Sequence, residues 1–187
     1  MKSVNSASKP VLSREHLLLD ASAAADGILS RDIEFCLRRM HLESRESLIR
    51  QLRKGDPAAG GCFKHGLARH VARYLGANDQ DIKVVYLLDH GPGRRENARH
   101  IAPPARLLHL IIWAQPKTAA LAALVAALDR TLALKLGPLL GKPMLDHAMD
   151  VQVIDDVDVT GRTGYAALLF STRYRPVPVW KRQACAI

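Results

Sequence analysis

The sequence predicts an α/β protein: an N-terminal helical region followed by a small mixed sheet containing a β-α-β crossover, with helices packed on the sheet. Three observations predict it. Apolar residues recur at helical spacing through the first third of the chain. Two dense runs of β-branched and apolar residues, 82–88 and 107–113, have strand length. Between the second run and a third strand at Val151 lies 117–136, a long Ala/Leu-rich stretch of helical character.

The elements follow in order. Residues 1–12, rich in Ser, Lys and Pro, read as a flexible tail. Ser13 is placed to cap a helix to Ala25, with Leu17, Leu18 and Ala21 on one face, and Asp26-Gly27 is expected to end it. Ser30 and Ser44 are placed to cap two more. Ile33, Leu37 and Met40 repeat at helical spacing in one, Leu48, Ile49 and Leu52 in the other, and Lys54-Gly55 closes the last. Residues 13–55 are therefore expected to form a helical subdomain. Asp56-Pro-Ala-Ala-Gly-Gly61 reads as a linker, and 62–187 as an α/β core with a basic C-terminal tail. A helix over 63–75 presents Leu67, Val71 and either Tyr74 or Leu75 and stops at Gly76. The polar stretch with Gly91-Pro92-Gly93 and Pro103-Pro104 is expected to be a lid or an unstructured loop. Run 107–113 is nearly all apolar, as a central strand is, whereas 176–180 contains two prolines that cannot donate to a ladder and is restricted to an edge or a tail.

With 48% hydrophobic and 24% charged residues, 187 residues build a globular core rather than a disordered chain. The most apolar segment, 118–136, contains Asp129, Arg130 and Lys135, so a buried helix is expected and no membrane span. No apolar segment follows the first ten residues as a secretory signal requires. Cys36, Cys62 and Cys185 are odd in number and widely spaced, which implies reduced thiols and a cytoplasmic location. Cys62, His65 and His70 invite a zinc reading, but the two imidazoles are five residues apart on different helical faces and no fourth ligand follows.

A net charge of +9 favours an anionic partner. The excess lies in 31–73, around Arg94, Arg95 and Arg99, and at Arg173, Arg175, Lys181 and Arg182, where no acid is near in sequence. These basic segments show no recognised nucleic-acid signature and no interleaved aromatics.

Chemistry concentrates in Val151-Gln-Val-Ile-Asp-Asp-Val-Asp-Val-Thr-Gly-Arg-Thr163. Valines at 151, 153, 157 and 159 give a strand period, with Asp155 and Asp156 toward its end. Thr160, Gly161, Arg162, Thr163 and Gly164 then offer hydroxyls, a guanidinium and flexible glycines before 165–170, which has the composition to start a helix. A strand, a glycine-containing loop and a helix start direct N–H groups at one point, where a phosphate fits.

This pattern of apolar strand, two acids and Thr-Gly-x-Thr resembles the phosphoribosyl-pyrophosphate loop of type I phosphoribosyltransferases, over residues 151–163. The resemblance implies a phosphorylated small-molecule ligand, with Asp155 and Asp156 on ribose hydroxyls, Thr160 to Gly164 on the 5′-phosphate and Mg²⁺ on the pyrophosphate. Ala114-Gln115-Pro116-Lys117-Thr118, between a predicted strand and helix, takes the place of the family's pyrophosphate loop, with Lys117 beside the leaving group.

Two alternatives stand beside it. Asp81 and Gln115-x-Lys117 resemble the Asp and Glu-x-Lys arrangement of restriction-type nucleases, although Gln115 lacks the anionic oxygen that Mg²⁺ prefers. The other is a non-enzymatic binding or assembly protein whose basic residues contact an anionic macromolecule, the acidic loop being structural.

Overall fold

The computed structural model describes residues 14–88, 107–142 and 145–183. The predicted tail, the 89–106 loop with its arginines, and Cys185 lie outside them. The chain is an α/β protein with an N-terminal helical region, as expected.

Helix α1, Arg14–Met40, runs unbroken through Asp26-Gly27, where the sequence predicts a stop. Ala21, Ala25, Ile28, Leu29, Ile33 and Cys36 make one continuous buried stripe across that point. A mid-helix glycine costs about 1 kcal/mol, whereas each large aliphatic chain buried there contributes about 1.5–3 kcal/mol. Burial wins, and Arg31 Nε bridges the turn by donating to the Gly27 carbonyl at 3.0 Å. Ser44 caps α2, Arg45–Arg53, accepting from the Ser47 N–H, and Leu48 is its buried anchor.

The predicted linker is instead the first turn of α3, Pro57–Asn78. Asp56 Oδ1 accepts from the Ala59 N–H at 2.8 Å, and Pro57 follows where a missing N–H costs nothing. Gly60 and Gly61 look like breakers in sequence, but a strong cap and the buried run from Phe63 to Leu75 carry the helix through them.

Strands β1, Ile82–Leu87, and β2, Leu108–Ala114, pair antiparallel. Helix α4, Ala119–Leu139, then crosses to β3, Met149–Ile154, which lies parallel to β2. After α5, Asp156–Gly161, and a 3₁₀ helix, Gly164–Phe170, β4, Val177–Lys181, joins the outer edge of β1. The order is β3-β2-β1-β4. The start of β3 is fixed by the buried carboxylate of Asp129 on α4, which accepts from the N–H groups of Ala148 and Met149 at 2.8 and 2.7 Å. His147 Nδ1 lies 2.6 Å from its other oxygen.

Alternation along β2 assigns the two faces. Leu108, Leu110, Ile112 and Ala114 join α1, α3 and α4 in one core, so the N-terminal helices and the sheet bury a common interior. Ile111 instead packs with Ile154 and Ala166, with Tyr86, Trp113, Leu168 and Leu169 around them, beneath the thin layer formed by 156–170. Arg182 secures the far edge by donating to the carbonyls of Ile82, Gly76 and Asp79 at 2.8–2.9 Å.

Candidate functional site

The motif strand ends at Ile154, five residues before Val159, because its acids cap a helix. Asp155 Oδ1 accepts from the Asp158 N–H at 2.9 Å, and Asp158 Oδ2 accepts from the Asp155 N–H at 3.1 Å. This reciprocal capping box starts α5 at once, overriding the valine alternation that predicts a longer strand. Thr160 and Gly161 lie in the last turn of α5. Arg162 closes it in the left-handed conformation at φ 53°. The N–H groups of Arg162 and Thr163 donate to the carbonyls of Val159 and Asp158, and the Thr163 hydroxyl donates to Asp158 Oδ1. Gly164, at φ +51°, turns the chain into the 3₁₀ helix.

The structure brings Asp155, Asp156, Asp158, Thr163 and Lys117 together, and adds Lys83, Trp113 and Gln115. Lys117 Nζ binds Asp158 and lies 3.2 Å from Asp155. Lys83 Nζ reaches both Asp156 oxygens at 2.6–2.7 Å and lies 5.5 Å from the Trp113 ring centre. Trp113 Nε1 donates to Asp156 at 2.7 Å, while Gln115 Oε1 accepts from the Asp156 N–H. The hydrogen bond from Lys83, then that from Trp113, holds the Asp156 carboxyl below the usual range. Lys117 does the same for Asp158, helped by the Asp155 N–H, and is itself pushed up chiefly by Asp158.

The cluster sits beyond the carboxyl ends of parallel β2 and β3, the ligand edge of such sheets. Its carboxylates already accept from ammonium, indole and backbone donors, so ribose hydroxyls would have to compete with charge-assisted bonds. Among the described residues no three His, Cys, Asp or Glu side chains are grouped to hold a metal ion. Asp81 and Gln115 are neighbours at antiparallel strand ends, the Gln115 N–H donating to the Asp81 carbonyl at 2.9 Å. Sequence reading did not find Lys83, Trp113 and the Gln115 side chain as partners, though a lone lysine in an otherwise apolar strand was a signal.

A different surface follows the motif. Tyr165, Phe170 and Tyr174 are 43%, 50% and 38% exposed. The Arg162 guanidinium carbon lies over the Phe170 ring, 4.7 Å from its centre, and that of Arg173 lies 5.7 Å from the Tyr174 ring centre. Among the described residues no carboxylate pairs with Arg162, Arg173 or Arg175. The expectation that basic segments lack aromatic neighbours is therefore corrected here; the order Arg162, Tyr165, Phe170, Arg173, Tyr174, Arg175 carried that signal.

Between α1 and α3, Asp32 is fully buried with neither carboxylate oxygen hydrogen-bonded, and His70 Nδ1 lies 3.9 Å away without a hydrogen-bond partner. Gly66 makes room for this carboxyl, since a Cβ there would stand 1.9 Å from Asp32 Oδ1. No helix among the described residues is long and apolar enough to cross a membrane. No family model, curated protein or solved structure matches this chain.

Proposed function

We propose that this is a non-enzymatic binding protein that contacts an anionic macromolecule through its basic C-terminal segment. One contrast carries the reading. At the sheet edge each aspartate of the motif is matched to a lysine, whereas Arg162, Arg173 and Arg175 meet no carboxylate among the described residues. From Val159 onward the chain has five Lys or Arg and no Asp or Glu, so nothing in that stretch neutralises it. The free thiols of Cys36 and Cys62 fit a cytoplasmic setting. The test is retention on heparin-agarose. The wild type and Asp156→Asn should elute together, and the double variant Arg173→Glu/Arg175→Glu at clearly lower salt. A wild type that flows through at low salt refutes the proposal.

A second reading keeps the phosphate-bearing ligand, because Lys117, Thr163 and the acids gather where parallel β2 and β3 end. A phosphate there would take Lys117 from Asp158 and recruit Arg162 from the Phe170 face. Thermal melting with millimolar nucleotide or phosphoribosyl pyrophosphate and Mg²⁺ decides it; an unchanged Tm removes this reading.

A further inference from the structure

We infer that the exposed rings Tyr165, Phe170 and Tyr174, with Arg162 over Phe170, Arg173 over Tyr174 and Arg175 next in the chain, are a stacking platform for single-stranded nucleic acid. This rests on the anionic-partner reading above and names the partner.

Aromatic rings normally bury their faces, because each removes a large apolar area from water. Three consecutive aromatics of this segment instead remain 38–50% exposed, and all three lie within ten residues of chain. The remaining nearby aromatics are used differently. Trp113 lies beneath the 156–170 layer and donates to Asp156, and Trp180 packs on Gly76. The exposed rings therefore form a distinct set. They stand in the part of the chain that holds only positive formal charge.

The arginines match the rings in shape as well as number. Guanidinium carbons lie 4.7 and 5.7 Å from the Phe170 and Tyr174 ring centres, so cations able to reach phosphate oxygens stand beside rings whose uncovered faces can take bases. Single strands are bound by this combination, in which cations follow the backbone and aromatic faces stack bases irrespective of sequence. An acidic peptide would use the arginines and leave the rings without a planar partner. Duplex DNA would present phosphates but keep its bases stacked on one another.

Chain geometry supports a fixed platform. Tyr165 and Phe170 belong to the 3₁₀ helix, whose underside is tied to the sheet through buried Ala166 and half-buried Leu168 and Leu169. The Ser171 hydroxyl accepts from the N–H groups of Arg173 and Tyr174, and β4 begins three residues later at Val177.

Fluorescence anisotropy with a labelled oligothymidylate tests this on the full-length protein, at fixed salt of about 0.1 M. The wild type should bind, and Tyr165→Ala, Phe170→Ala and Tyr174→Ala should each weaken binding roughly 5- to 100-fold while retaining cooperative thermal melting. Raising salt should weaken all forms. If the alanine variants bind like wild type while Arg173→Glu/Arg175→Glu fails, stacking is overturned and the anionic-partner reading survives. Preferential binding of duplex DNA, or displacement of the oligonucleotide by polyglutamate at equal charge, also overturns it. Retention on heparin with no oligothymidylate binding overturns the nucleic-acid assignment alone.

Discussion

Asp32→Asn should flatten the dependence of stability on alkaline pH, and the size of the effect follows from burial. The carboxyl is fully inaccessible and lacks hydrogen-bond partners, and that desolvation pushes its pKa from 3.8 up to about 8. Its neighbours on both helices bear on the same position: His70 at 3.9 Å, Cys36 one turn along α1, and the arginines 31, 69 and 73 around His70. In the unfolded chain Asp32 releases its proton near pH 4, whereas in the folded protein it keeps it to about 8. The folded state thus binds one more proton across that interval, so stability falls as pH rises. The slope is about 1.4 kcal/mol per pH unit, a ceiling of roughly 6 kcal/mol over the whole interval. The window from pH 6.5 to 8 isolates this group. His70 is held below 6.5, chiefly by burial, and adds stability as pH rises toward 6.5, while Asp156 and Asp158 titrate below 3.8. Urea unfolding followed by circular dichroism at several pH values should show wild type losing about 2 kcal/mol across that window, and Asp32→Asn losing about that much less. Asparagine retains shape and polarity but does not titrate in this range. Equal slopes in the two proteins would refute the reasoning.

Two further substitutions test what holds the sheet. Asp129→Ala removes the acceptor for the Ala148 and Met149 N–H groups, leaving two buried donors unsatisfied at the start of β3; a loss of about 2–5 kcal/mol in urea unfolding is expected, and less than 1 kcal/mol would show that water replaces the carboxylate. Gly76→Ala places a Cβ 2.3 Å from Trp180 Cζ2. The indole must move with β4, so a loss of about 1–3 kcal/mol and a changed tryptophan emission spectrum are expected, and an unchanged spectrum would contradict the close approach.

The parts of the fold legible in the sequence were those where one physical preference dominates. The nearly unbroken apolar run 107–113 admits little but a central strand, the Ala/Leu-rich stretch after it little but a covering helix, and two prolines confine 176–180 to an edge. Misreadings arose where a local signal met a stronger competing interaction. Asp26-Gly27 and Asp56 to Gly61 have breaker composition, but buried apolar stripes and an Asp-Pro cap carry helices through both. At the motif, valine alternation was opposed by two carboxylates three residues apart, each able to cap the other's N–H, and the cap prevailed. That exchange also changes what the aspartates can do. A carboxylate that caps a helix and holds a lysine already has acceptor sites engaged within the protein, so composition and spacing locate the charged position while its partners decide its chemistry. Those partners, Lys83 and Trp113, are 73 and 43 residues away from Asp156. Only the strand register brings them to the same edge. The exposed aromatics present the converse case, because sequence names the rings but solvent exposure alone distinguishes a surface ring from one in the core. Tyr165 and Phe170 become legible as a surface once Ala166, Leu168 and Leu169 are seen to supply the buried side of the same short helix.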